Sequence, residues 1–128
     1  DFFHEMLPYF EDELAYYVHA SLIPGKHPSE CDEETLRWKR DPAFFRYYNG
    51  KLCFFGHTPT RYLPSTGLDR EFGVYISGTA VGIDTGCGPE DPLSCVQVDN
   101  LMVYQAFPDG RLESYQAKLG QLPTPANL

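Results

Sequence analysis

Residues 51–57 read KLCFFGH and continue as Thr58, Pro59 and Thr60. The apolar run Leu52, Cys53, Phe54 and Phe55 stops at Gly56, so the stretch predicts a buried strand that ends in a glycine turn with His57 at its lip. A histidine held there sits on a rigid element while its imidazole faces a cleft, where a neutral ring nitrogen can bind a metal ion. An ordinary turn with a solvated or hydrogen-bonded histidine gives the same local pattern. The other segments have to decide between the two.

The chain has 128 residues, the length of one domain, with 42% hydrophobic and 15% aromatic residues, a composition that supports a folded core. Eighteen acidic residues against ten basic ones leave a net charge of −8. No run of lysine or arginine is present that could neutralise a line of phosphates, which argues against nucleic acid and anionic membrane as partners. No apolar segment reaches the length of a membrane span. The four cysteines, Cys31, Cys53, Cys87 and Cys95, form no CxxC pair. A disulfide framework or a structural zinc site fits that spacing less well than reduced thiols in a cytoplasmic protein, with Cys53 and Cys95 acting as small hydrophobes in strands.

Upstream of the central strand, residues 1–6 place Phe2, Phe3 and Met6 on one side of a helix with no visible beginning, and Pro8 closes it. Residues 9–13 read as a polar connection, and LAYYVHA at 14–20 as a strand that ends at His19, where a main-chain carbonyl could satisfy the ring. Residues 22–31 form a loop with a solvated His27. DEETLRWKR from Asp32 has acidic residues first and basic residues last, as a helix dipole favours. Asp41 and Pro42 cap and open another short helix that stops near Asn49 and Gly50.

Downstream, residues 58–72 read as irregular loop. Strands at 74–76 and 80–83 flank a turn at 77–79, and the second strand runs into Asp84, Thr85 and Gly86. Alternating apolar and polar residues predict a three-strand antiparallel meander near 93–98, 101–107 and 111–117, and the tail from 120 to 128 reads as loose. The expectation is a single α+β domain over residues 1–128, with about six to seven strands in one sheet and two or three short helices on one face. The other face of that sheet is expected to be bare.

YVHA at 17–20, LRWKRD at 36–41, FFGHTP at 54–59 and GIDTGC at 82–87 occur in an order and spacing that resemble the C-terminal half of calcineurin-like metallophosphoesterases, most of all the bacterial and phage branch of the serine/threonine phosphoprotein phosphatases. The resemblance runs from about residue 7 to about residue 107. It implies a partial metallophosphoesterase-type β-sandwich in which His19 and His57 bind the second metal of a two-metal centre. That centre would hold two divalent transition metals, manganese first, with iron or zinc as alternatives. Arg40 would bind the substrate phosphate, and Asp84, Thr85, Gly86 and Cys87 would line the site. Two imidazoles suit a borderline metal, and a guanidinium can grip two phosphate oxygens.

The family's histidine segment ends in glycine where this chain has Ser21. Its DxH, GDxxDR and GNHD or GNHE segments, which supply the bridging carboxylate and the general acid, do not occur among these residues. The expectation is therefore one half of a phosphatase that hydrolyses phosphate monoesters, with phosphoserine and phosphothreonine in proteins, or a small phosphoester, as substrate. The missing partner is the N-terminal half of the domain, and the chain alone is expected to be inactive. A dinucleoside polyphosphate hydrolase is the alternative within the superfamily. A non-catalytic binding module and an unrelated α+β domain are the alternatives outside it.

Overall fold

The computed structural model describes residues 1–64, 67–68 and 70–120. Most of the expected tail lies outside the described residues. The centre is β3 (Cys53–Phe55), three residues buried on both faces. It pairs in parallel with β2 (Tyr16–Val18) on one side and with β5 (Ala80–Gly82) on the other. β1 (Tyr9–Glu11) joins β2 antiparallel, and β4 (Tyr75–Ser77) joins β5 antiparallel, which gives a five-stranded sheet in the order β1-β2-β3-β5-β4. β6 (Leu93–Val96), β7 (Met102–Ala106) and β8 (Leu112–Gln116) form a separate antiparallel sheet.

Side chains of a strand alternate between its faces, and β3 uses both. Cys53 and Phe55 enter a core with Leu22, Leu36, Phe44, Phe45 and Tyr75. Three of those residues come from α2 (Glu33–Arg37) and α3 (Pro42–Tyr47), the short helices of the β2-to-β3 crossover. The rings of Phe44 and Phe45 pack on Phe55 at centroid distances of 5.0 and 5.7 Å, and the Tyr75 hydroxyl donates to the Phe45 carbonyl at 2.6 Å. Gly82 has to be glycine, because a Cβ there would stand 2.8 Å from the Phe55 ring. Both helices start as the sequence predicts: Asp32 accepts from Thr35 N–H, and Asp41 from Ala43 N–H ahead of Pro42.

Phe54 points to the opposite face and joins Ala15 and Val81, against which Val96 of β6 and Val98 and Leu101 of the β6–β7 connection pack. That face is therefore not bare. The meander lies on it, and the expected single sheet is two packed sheets. The eight strands among the described residues exceed the expected number because 9–13 is not a connection. Tyr9, Phe10 and Glu11 pair with Val18, Tyr17 and Tyr16. Asp12 turns the hairpin by accepting from the N–H groups of Leu14 and Ala15, which also moves the start of the next strand to Tyr16. An edge strand needs a ladder on one side only, so a polar sequence suffices there.

Other expectations also change. The first helix, α1 (Phe2–Glu5), does have a start, with the Asp1 carboxylate accepting from Phe3 N–H, and it buries no residue. His27 is half-buried rather than solvated: Nδ1 accepts from Ser29 N–H, and Nε2 lies 2.8 Å from Glu11 Oε1. All four cysteines are free, but Cys95 is exposed on the outer face of its sheet, not packed as a hydrophobe. Part of 58–72 winds into a 3₁₀ turn at Thr60–Tyr62. No helix among the described residues is long and apolar enough to cross a membrane.

Phe55→Ala is expected to lower the unfolding free energy by about 3–5 kcal/mol. Leu112→Ala, at a side chain that is 79% exposed, should change it by less than about 0.5 kcal/mol. Urea unfolding followed by circular dichroism checks both.

Candidate functional site

Three parallel strands end together. The pairing Tyr17↔Phe54 continues beyond the strands as a hydrogen bond from Gly56 N–H to the His19 carbonyl at 2.8 Å. The pairing Phe55↔Gly82 continues as one from Ile83 N–H to the Phe55 carbonyl at 2.9 Å. Register alone therefore sets His19, His57 and Asp84 in a row at the carboxyl ends of β2, β3 and β5, the edge where open parallel sheets form their ligand crevices.

The two histidines meet. His19 Nε2 lies 3.1 Å from His57 Nδ1, and the ring centroids are 4.9 Å apart. His57 reaches this position in the left-handed region, at φ +67°, which costs a non-glycine residue roughly 1–2 kcal/mol. Arg40 comes in from the α2–α3 junction, and its Nε donates to Thr58 Oγ1 at 3.0 Å. Among the described residues the terminal guanidinium nitrogens of Arg40 have no hydrogen-bond partner. Trp38 stands edge-on to His57 with 5.8 Å between ring centroids.

The remaining expected residues divide. Asp84 sits within electrostatic reach of His57, while its Oδ1 accepts from Gly86 N–H at 3.1 Å and its carbonyl from Thr60 N–H. Thr85 is buried and turned elsewhere, bonding the Pro92 carbonyl and Ser94 Oγ and lining a separate cavity of about 250 Å³ beside Arg61 and Asp91. Gly86, at φ +108°, packs on the Asp91 side chain, and Cys87 is exposed at φ +49°. Asp84 therefore belongs to the cluster, whereas Thr85, Gly86 and Cys87 build the turn behind it.

Three further residues contribute that the motif spacing does not single out: Trp38, Thr58 and Ser21. Ser21, which stands where the family's histidine segment has glycine, is buried with its hydroxyl 2.9 Å from the Thr35 carbonyl and 2.8 Å from the Lys39 carbonyl. It fastens the turn after β2 to the segment that carries Trp38 and Arg40.

The His57 ring is held below the ordinary histidine value, first by desolvation, then by the Arg40 charge and by His19. A main-chain hydrogen bond at Trp38 and the Asp84 carboxylate pull the other way. The imidazole is neutral at neutral pH, as metal coordination requires. A separation of 3.1 Å also suits two nitrogens bound to one ion at bond lengths of about 2.0–2.1 Å. Among the described residues, no group of three or more histidine, cysteine, aspartate and glutamate side chains is arranged to hold a metal. Among the described residues the approach of His19 to His57 is thus a pair of nitrogens without a third ligand beside it. Comparison with family models, with characterised proteins and with solved structures finds no match.

The strain at His57 gives a direct test: His57→Gly should be more stable than His57→Ala by about 1 kcal/mol in thermal or denaturant unfolding. The lowered pKa gives another. Below the unfolded value of 6.5 the unfolded chain takes up the His57 proton before the folded chain does, so stability is full above about pH 6.5 and declines as pH falls. His57→Gln should lose that part of the pH dependence.

Proposed function

We propose that this chain carries the phosphate grip and two metal ligands of a metal-dependent phosphatase acting on phosphate monoesters. The observation that carries the proposal is the 3.1 Å approach of His19 Nε2 to His57 Nδ1 beside an arginine anchored through its Nε. In this reading His19 and His57 hold one divalent ion. Manganese suits the site first, with zinc or iron as alternatives. A pair of such ions supplies an acidified water and neutralises charge on the phosphoryl oxygens.

The chain's own groups then divide the work. Arg40 presents its terminal N–H groups to two phosphate oxygens, with Thr58 fixing its rotation. Trp38 shields the His57 ring from water, and Asp84 offsets part of the positive charge. In this reading the bridging carboxylate and the acid that protonates the leaving oxygen are supplied by a partner segment, and the chain alone is proposed to be inactive. The family resemblance alone puts phosphoserine and phosphothreonine in proteins first among the phosphate monoesters, with a dinucleoside polyphosphate as the alternative, and the space beside the site selects among them. A module that binds phosphate without cleaving it is the competing proposal, favoured by the lack of a third ligand among the described residues.

Titration with Zn²⁺ under NMR observation of the imidazoles should move His19 and His57 and leave His4 and His27 in place. His19→Ala or His57→Ala should abolish the response, and Arg40→Gln should weaken inorganic phosphate binding without changing the Zn²⁺ response. A response confined to His4 or His27 would remove the metal assignment. Turnover of an aryl phosphate by the chain with Mn²⁺, lost in His57→Ala, would overturn its inactivity.

A further inference from the structure

The dihistidine site opens sideways into a second space. A cleft of about 520 Å³ is lined by Phe3, Met6, Leu7, Tyr17, His19 and Trp38, among others, with Arg37 also in its wall. The volume lies in the range of small-molecule sites, and so does a lining of apolar and aromatic groups with a few polar ones. Its apolar side chains are unusually open to solvent: Leu7 is 71% and Trp38 69% exposed. Single exposed apolar residues are ordinary, but a contiguous group of this kind marks a binding surface.

Two residues belong to both spaces. His19 lines the cleft and faces His57, and Trp38 lines the cleft and stands edge-on to His57. A phosphate held by Arg40 and the histidine pair therefore has its organic substituent directed to an aromatic wall. Resting on the phosphate site proposed above, we infer that the cleft receives the ring of an aryl phosphate monoester, in which the phosphate is bonded directly to an aromatic ring. Trp38 lies 5.8 Å from the His57 ring, one ring contact away. An aryl group one oxygen from the phosphorus reaches the indole, where offset or edge-to-face packing is favourable, whereas a nucleobase held off by its ribose overshoots it. The short polar side chain of phosphoserine leaves the cleft unfilled. Arg37 and Arg40 supply positive charge around a dianionic ligand in a chain that is otherwise strongly acidic.

Trp38 is the only tryptophan of the chain, so its emission reports on this cleft alone. The Zn²⁺-supplemented chain is titrated with phenyl phosphate, phosphoserine, inorganic phosphate, AMP and phenol, following Trp38 emission and the His57 imidazole resonances. Phenyl phosphate is expected to bind at least about tenfold more tightly than phosphoserine or phenol, with both reporters moving. Leu7→Glu, at an exposed position after a helix that buries nothing, should erase that preference.

Equal affinity for phenyl phosphate and phosphoserine, with His57 responding to both, would overturn the aryl assignment and leave the phosphate site intact. So would a tighter hold on AMP, or a preference that survives Leu7→Glu. Equal binding of phenol and phenyl phosphate with His57 unmoved would instead remove the phosphate site itself, and with it the assignment to phosphoesters.

Discussion

The parallel pairing of β3 between β2 and β5 is the constraint on which the other parts depend. Its register fixes which residues leave the sheet together, and those are His19, His57 and Asp84. A slip of one residue would turn Phe54 and Phe55 to each other's faces. Phe55 fills the core under the helices, and Phe54 fills the one under the meander. Exchanging them would disrupt both cores, so the packing that stabilises the sheet also protects the register that builds the site.

The β2-to-β3 crossover does the second part of the construction. Ala20 N–H donates to the Leu36 carbonyl, Ser21 holds Thr35 and Lys39, and Arg40 reaches Thr58. These bonds draw a basic, tryptophan-bearing segment against two strand ends. An overall charge of −8 therefore coexists with a locally positive edge formed by Arg37, Lys39 and Arg40. Desolvation, joined by the Arg40 charge and by His19, holds down the pKa of His57. Its left-handed backbone is the kind of local strain that rigid surroundings sustain at functional positions.

The opposite end of β2 shows how similar residue types produce a structural result. His27 is tied at both nitrogens, to Ser29 and to Glu11, and Glu11 is bonded in turn by Lys51 at 3.0 Å. The rings of Tyr9 and Tyr16 pack edge-on against that histidine. Both ring nitrogens of His27 and both carboxylate oxygens of Glu11 have protein partners, and the cluster joins the edge hairpin to the loop before α2. At the His19–His57 end, by contrast, His19 is exposed and its side chain bonds only to His57 among the described residues, and Arg40 bonds only through its Nε.

Much of this was legible in the chain itself. The apolar triplet ended by glycine, the caps at Asp32 and Asp41, the hairpin through Gly78 and the three-strand meander all follow from local chemistry, because each depends on residues a few positions apart. The segments bearing His19, Arg40, His57 and Asp84 could likewise be marked from sequence. What local chemistry leaves open is long-range pairing. The strand at Tyr9–Glu11 exists because β2 offers it an open edge, and the meander covers Phe54 because that face of β3 has to be buried. The joining of His19 to His57, the separation of Thr85 from Asp84, and the cleft along Trp38 are likewise set by register and by the crossover. Sequence by itself determined which side chains could act at this edge. Only the tertiary structure decided which of them meet, because their distances depend on hydrogen-bond ladders between segments tens of residues apart.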